Sequence, residues 1–449
     1  MRLTGLALFC ALAAACGSID PNEGSDAGVR TDGTAAQTDA APPPPPPNAH
    51  VRGTVFAPNG RAFSPPLTIM NALVYVTDNV PAPIPPGVYC ERCTALPADA
   101  RYTKTDEFGM FDLNIWDGAY ILVIQKGQFR LVRPIVVGAG ATLEVSPEDT
   151  TLPSRNSSDG NDTIPKIALL SGSYDKLEGL FAKIGLADMS GDTVQWSDNT
   201  QFDVYSNGGS MPPAGSARNK GTALSLLSSL EKMKQYHMIF VPCSSEADSI
   251  VSNATVKQNV KDYVKLGGKY YVADWSYDYL RQVYRTRDDG PIVHFAGSGD
   301  GDTLGSANAV SSSFDSQGHA VDQDLFKWLN AQQQGWGGDS LVLKENWDWI
   351  MSLEEGYVGD DPENGPQYRK ADVIVEGPHD GNSSWKSLPP SEIYPLTIGF
   401  QSGCGRVLYT TYHTVGEMGA GHTGLEVQER ILIYLIMEIG VCQAGPILE

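Results

Sequence analysis

The sequence predicts a multidomain chain: a small all-β sandwich over residues 49–147, then an α/β domain on a parallel sheet over residues 165–445. Three observations carry this. Residues 50–147 hold roughly seven short β-rich runs separated by turn signals, with no helical period. From Lys166 onward, apolar runs of strand length alternate with segments whose apolar residues recur at helical spacing. Between the two, residues 148–164 are polar and turn-rich and read as a linker.

In the first unit, Val51–Phe56 runs into Pro58-Asn59-Gly60, a strong turn signal. Ala72–Thr77 is the next β-rich run. Asp106-Glu107-Phe108-Gly109 is a turn that leads into Met110–Leu113, and Tyr120–Ile124, Leu131–Val137 and Thr142–Val145 complete the set. The Pro-rich insertion Asp78–Ala100 carries Cys90 and Cys93 and reads as loop decoration or a recognition loop.

In the second unit, Lys166–Ser171 is a buried-strand run. Leu177, Leu180, Phe181 and Ile184 then mark a helix stopped by Gly185. Ala223–Met233 carries Leu224, Leu227, Leu230 and Met233 on one helical face. Met238–Val241 is a strand, Val256 to Val264 a helix ended by Gly267-Gly268, and Tyr270–Ala273 a strand. Arg406–Tyr412 is a late strand and Leu425–Ile439 a closing helix. Alternation of this kind implies parallel strands covered on both faces.

The N-terminus reads as an export address. Met1–Ala15 has one positive charge, Arg2, followed by an apolar run too short to span a bilayer, which takes about 20 residues. Leu12-Ala13-Ala14-Ala15-Cys16-Gly17 resembles a lipobox, which implies lipidation at Cys16. Residues 16–48 are small and polar and end in the proline run Pro42–Pro47, so they form a disordered, stiff-ended tether. The chain is therefore expected to be exported and lipid-anchored to the bacterial cell envelope. Gly17, where an Asp would favour the inner membrane, points to the outer membrane.

A formal net charge of −21 opposes binding to nucleic acid. The expected partners are the membrane, through the lipid, and an envelope protein or a glycan. Of the cysteines, Cys90 and Cys93 form one Cys-x-x-Cys, expected as a local disulfide in an oxidising compartment. No second such motif or His pair completes a zinc site, so no metal and no cofactor are expected. In the mature chain, besides Cys16, this leaves Cys243, Cys404 and Cys442, an odd number. The acidic turns Asp300-Gly301-Asp302 and Gly359-Asp360-Asp361 lack EF-hand spacing and read as solvated loops. Trp336, Trp347, Trp349 and Trp385 either fill a core or offer a sugar-stacking face.

Sites in α/β sheets form at the carboxyl ends of strands. That rule collects Ser171–Asp175, Cys243–Glu246, Asp274–Asp278, and His413 with Glu417. A thiol, an imidazole and carboxylates on one edge are the ingredients of nucleophilic catalysis, with Cys243 as nucleophile, His413 as base, and Asp274 and Glu417 as further candidate catalytic residues.

Two resemblances add to this reading. Val51–Val55, Ala72–Val76, Thr105–Phe111 and Gly118–Leu122, in that order, resemble the carboxypeptidase regulatory-like (transthyretin-like) domain, a module usually structural or adhesive. Lys166–Ser173, the strand ending in Cys243, Tyr263–Val272 and Gly403–His413 resemble the class I glutamine amidotransferase-like superfamily, especially its ThuA-like branch. The second resemblance implies a flavodoxin-like layered sheet. Active members carry a Gly-x-Cys-x-Gly elbow after a strand and a His-x-Glu pair. Here the matching strand runs into Ala273-Asp274-Trp275-Ser276-Tyr277, with no cysteine and no flanking glycines to give an elbow room. His413 fits the histidine position, but Glu417 follows four residues on rather than two. Three readings therefore stand: a non-catalytic binding lipoprotein with a degenerate amidotransferase-like domain, a thiol-dependent hydrolase using Cys243 and His413, and a purely structural envelope protein.

Overall fold

Period-two patterning builds the N-terminal β unit in the computed structural model, which describes residues 46–90, 96–97, 99–191, 193–245, 248–296, 304, 313–332, 337–361, 365–378, 392–414 and 424–438. Its strands are β1 (Ala49–Thr54), β2 (Leu73–Thr77), β3 (Arg101–Lys104), β4 (Met110–Ile115), β5 (Gly118–Lys126), β6 (Phe129–Val137), β7 (Thr142–Glu144) and β8 (Asp162–Thr163). They form two sheets, β4-β1-β7 and β3-β2-β5-β6-β8. Val51, Leu113 and Ile115 of the first sheet share an apolar cluster with Val74, Val76, Leu122 and Ile124 of the second. The Asp106–Gly109 turn closes because Asp106 Oδ1 accepts from the amides of Phe108 and Met110, while Gly109 takes φ 77°.

The stretch read as a linker is tied down at both ends. Leu152 and Ile164 are buried, and β8 pairs with β6.

The α/β part is built on one mixed sheet. Its strands in chain order are β9 (Ile167–Ser171), a small hairpin β10 (Asp188–Ser190) and β11 (Thr193–Gln195) outside the sheet, β12 (Phe202–Ser206), β13 (Asn219–Thr222), β14 (Met238–Val241) and β15 (Lys269–Ala273). Then come β16 (Val293–Phe295), β17 (Phe314–Ala320), β18 (Leu341–Asn346), β19 (Ile350–Leu353), β20 (Gly356–Asp361), β21 (Gly365–Arg369), β22 (Asp372–Pro378), β23 (Ile393–Ser402) and β24 (Gly405–Thr410). The order across the sheet is β13-β12-β9-β14-β15-β24-β23-β22-β17-β18. Strands β13 to β24 along that row are parallel. From β24 outward every pairing is antiparallel. The expected all-parallel sheet is thus corrected to a mixed one, and the correction comes from residues 314–402. Those strands pair antiparallel with their neighbours, even β17 and β18, which are joined through the helix Gln323–Ala331, because an antiparallel pair needs no crossover to bring the chain back alongside.

Consecutive strand residues divide between the two faces. Ala168, Leu170, Ile239, Val241, Tyr270 and Val272 pack with the helices Ala223–Leu227, Leu230–Met233 and Ala254–Lys265. Ile167, Leu169, Met238, Phe240, Tyr271 and Ala273 pack with the helices Leu177–Lys183, Gln323–Ala331 and Val427–Glu438. The single helix expected over Ala223–Met233 is two short ones. Ser229 interrupts it, and its hydroxyl accepts from the Lys232 amide.

The second face and the β unit share one apolar cluster. Trp328 Nε1 donates to Thr68 O at 2.9 Å, Asn71 Nδ2 to Asp324 Oδ2 at 2.8 Å, and Asn59 Nδ2 to Lys183 O at 2.8 Å. The described residues from 46 onward consequently pack as one unit.

The described first half of the Pro-rich insertion, residues 78–90, is a strap. Val88 N donates to Lys234 O, His237 contacts Pro85 O, and Cys90 is disulfide-bonded to Cys404. The expected Cys90–Cys93 disulfide is therefore corrected. Cys90 is spent on a partner that the turn between β23 and β24 brings to a Cα separation of 5.1 Å. Cys93 itself lies outside the described residues, as do Cys16 with the tether to residue 45, Cys442, Glu417, the turn at residues 300–302, Trp336 and Trp385.

Candidate functional site

Strands β9, β14, β15 and β24 run parallel side by side, so their carboxyl ends open on one edge. Cys243 follows β14, Asp274 follows β15, and His413 follows β24. The structure brings these three together. A thiol Sγ, a carboxylate oxygen and an imidazole nitrogen lie within 4.8 Å of one another. All three residues are buried, at 1%, 0% and 5% exposure.

Each side chain is held by its surroundings. The strand end at Cys243 is pinned because Cys243 O accepts from Tyr174 N at 3.2 Å and Pro242 O from Ser276 Oγ at 2.7 Å. Asp274 sits where β15 turns sharply into a short 3₁₀ helix, and it adopts φ 47°. A left-handed backbone costs a non-glycine residue about 1–2 kcal/mol, and aspartate is among the side chains that tolerate it. Tyr409 Oη donates to Asp274 O at 3.1 Å, which holds the turn against β24. Past β24, the amide of Thr414 donates to Asp175 Oδ2 at 2.9 Å, and Gln428 Nε2 donates to His413 O at 2.8 Å. The expected residue Asp175 thus reaches the site, bound to the backbone beside His413.

The acid that completes the arrangement is one the sequence did not single out. Glu345 Oε2 lies 3.0 Å from His413 Nδ1, and Glu345 O accepts from His413 N at 3.2 Å. Glu345, next to the last residue of β18, takes φ 57°, a second left-handed residue on the same imidazole. Asn346 anchors that end. Its Nδ2 donates to Leu343 O and Phe314 O, and its Oδ1 accepts from Thr411 Oγ1 at 2.9 Å. Glu345 stands 68 residues before His413, so no local spacing could have paired them.

On the other side of the ring, His413 Nε2 lies 3.3 Å from Asp274 Oδ2. That is ion-pair reach, but the geometry is not that of a hydrogen bond. Among the described residues no well-aligned hydrogen bond reaches Nε2 or either Asp274 oxygen, although the imidazole and the Trp347 amide lie near enough to favour the carboxylate's charge.

The electrostatics are dominated by burial. Burial pushes the Cys243 thiol up to about 12, reinforced by the Asp274 charge, while His413 pulls the other way. Burial likewise lifts the Asp274 carboxyl to about 7 against the pull of His413. Burial alone would lower His413, but its contacts with Asp274, Cys243 and Glu345 outweigh that and hold the imidazole well above its ordinary value. A further buried carboxylate, Asp348, keeps Oδ2 unpartnered and is held high by burial and by Asp274.

Three aromatic rings stand beside this centre. Tyr174 meets Trp275 edge-on at 5.5 Å between centroids, and Trp275 meets Trp347 at 5.5 Å. Trp275 Nε1 donates to Trp347 O at 3.1 Å. Tyr174 is 49% exposed and both tryptophans are half-buried. Trp349 packs with Phe314 and Tyr394 in a small core, Trp347 packs against that core, and Trp275 packs against the apolar cluster on the first face of the sheet.

No protein-family model matches the chain, and no curated protein matches it. Among solved structures it is similar to a cytoplasmic protein of Salmonella typhimurium, at 12% identity and TM-score 0.32, over 62% of this chain and 100% of that one. A ThuA-like protein from Parabacteroides merdae matches at 13% identity and TM-score 0.30, over 63% of this chain and 93% of that one. A β-galactosidase from Rahnella sp. R3 matches at 8% identity and TM-score 0.28, over 62% of this chain and 31% of that one. Likeness at this level assigns no activity.

Proposed function

We propose that this chain is a lipid-anchored protein of the bacterial cell envelope, tethered through Cys16 in the outer membrane, and that its α/β domain binds a glycan without turning it over. The observation that carries the binding role is the ladder Tyr174–Trp275–Trp347 at the carboxyl edge of the sheet. Aromatic rings present apolar faces that suit the C–H surfaces of pyranose rings, and Tyr and Trp keep a polar handle for the hydroxyls. The acidic chain, at net −21, disfavours polyanionic partners and leaves a neutral glycan as the fitting class.

Thiol catalysis is the weaker reading. A cysteine nucleophile needs a lowered thiol pKa and access, and Cys243 is buried with its thiol pushed up to about 12. A purely structural role accounts for the two half-buried tryptophans, which pack against apolar cores, but not for Tyr174, which is exposed at the edge beside them.

The test is tryptophan fluorescence of the full chain in detergent, titrated with soluble oligosaccharides cut from envelope polysaccharides. A saturable change is expected. Trp347→Ala and Tyr174→Ala should each weaken it about tenfold, equivalent to about 1.4 kcal/mol. Absence of binding to every glycan, with the fold intact by circular dichroism, leaves the structural role. Hydrolysis of a bound glycan would end the non-catalytic reading.

A further inference from the structure

We infer that Cys243, Asp274 and His413 form a site for one transition-metal ion of the zinc class. The inference is independent of the glycan reading and starts from unsatisfied atoms. Buried polar atoms without partners are rare in folded proteins, and an ion is one standard explanation. Here they converge: both oxygens of fully buried Asp274, and Nε2 of His413, lie beside the free thiol of Cys243.

The nitrogen–oxygen spacing suits tetrahedral zinc, with the thiol within 4.8 Å of both. Bonds of about 2.0–2.1 Å to nitrogen and oxygen put two such ligands about 3.3 Å apart, and His413 Nε2 and Asp274 Oδ2 are 3.3 Å apart. A hydrogen-bonded pair would align N–H with the oxygen. Two ligands of one ion instead point their lone pairs at a shared third point, which is consistent with a close contact that lacks hydrogen-bond geometry. Glu345 supplies the outer support. Its carboxylate takes Nδ1 of His413 at 3.0 Å, the carboxylate–histidine arrangement that orients a ligating ring and leaves Nε2 for the metal.

Charge and donor type point the same way. Asp274 and Glu345 flank the imidazole, and Asp175 and Asp348 add negative charge beside Asp274, which Arg281, held by Asp278 through Nε at 3.1 Å and Nη2 at 2.8 Å, offsets only in part. Buried carboxylates that outnumber the cations beside them are costly. A thiol with an imidazole and one carboxylate selects zinc, cobalt or nickel over calcium or magnesium, which take all-oxygen shells.

The experiment uses the full chain in detergent, stripped with a chelator and titrated with Co²⁺, then Zn²⁺. About one Co²⁺ per chain should bind, with thiolate-to-cobalt absorption in the near ultraviolet and intense tetrahedral visible bands, both displaced by Zn²⁺. Cys243→Ser should abolish the ultraviolet band, and Glu345→Gln should weaken binding about 10- to 100-fold. X-ray absorption of the wild-type zinc form needs no variant. One sulfur at about 2.3 Å and nitrogen or oxygen at about 2.0–2.1 Å is expected. No binding overturns the inference. So does a shell without sulfur, or a cobalt–thiolate band that survives Cys243→Ser.

Discussion

His237 is buried at 3% exposure between the sheet and the Pro-rich strap, and its two ring nitrogens have opposite roles. Nδ1 accepts from Lys166 N at 2.8 Å, so Nε2 carries the proton and donates to Pro85 O at 2.8 Å. Burial lowers the ring from 6.5 to about 4, with Lys269 and Lys166 adding to the shift. A histidine depressed in the fold binds its proton more readily when unfolded. Its stabilisation is therefore complete above pH 6.5 and is lost as pH falls toward about 4. The loss should amount to on the order of 3 kcal/mol. Urea unfolding at a series of pH values should show it, and His237→Gln, which keeps an acceptor and a donor, should flatten that part of the profile. An unchanged profile would place the acid sensitivity elsewhere. At this scale the sequence marked Cys243, Asp274 and His413, because each follows a strand of legible apolar pattern. It did not mark Glu345. Nothing local distinguishes a glutamate in a β-rich run that reaches its histidine only through sheet pairing.

Among the elements, the strap and the β23–β24 hairpin show what the Cys90–Cys404 bond does. It joins residues 314 apart in sequence and fastens the Pro-rich insertion to the α/β sheet. Gly267, at φ 117°, lets the strap approach, since a Cβ there would meet Tyr89 O at 2.0 Å. Cross-links over long loops stabilise typically by about 2–4 kcal/mol, mainly by restricting the unfolded chain. Cys404→Ser should lower stability by about that amount in thermal unfolding. Reductant should lower the wild type to the variant's level and leave the variant unmoved. If wild type and variant unfold alike without reductant, the bond does not form. The central strands and most helices were readable from their periods of two and 3.6. The break at Ser229 was not, because apolar spacing runs through it and only the local hydroxyl–amide bond interrupts the helix.

At the scale of the whole molecule, the anchor and the folded unit separate in one experiment. Cys16→Ala should move the protein from the detergent phase to the aqueous phase of a membrane extract, while glycan-dependent fluorescence of the folded unit persists. Retention of the variant in the membrane fraction would remove lipid attachment at Cys16 from the proposal. No described helix is long and apolar enough to cross a membrane. The β unit and the α/β sheet, read as separate domains joined by a linker, share an apolar cluster through Trp328, Phe181 and Leu152.

What the sequence determined by itself was local. Turn residues, the periods of strands and helices, and the carboxyl-end positions of three site residues follow from steric and solvation rules acting over a few neighbours. Tertiary structure decided the rest. It set the direction of the outer strands, the partner of Cys90, the carboxylate on His413, and the meeting of thiol, imidazole and carboxylate in one buried centre. Those outcomes depend on which distant segments the sheet order places side by side, and pairing across hundreds of residues leaves no mark in local spacing.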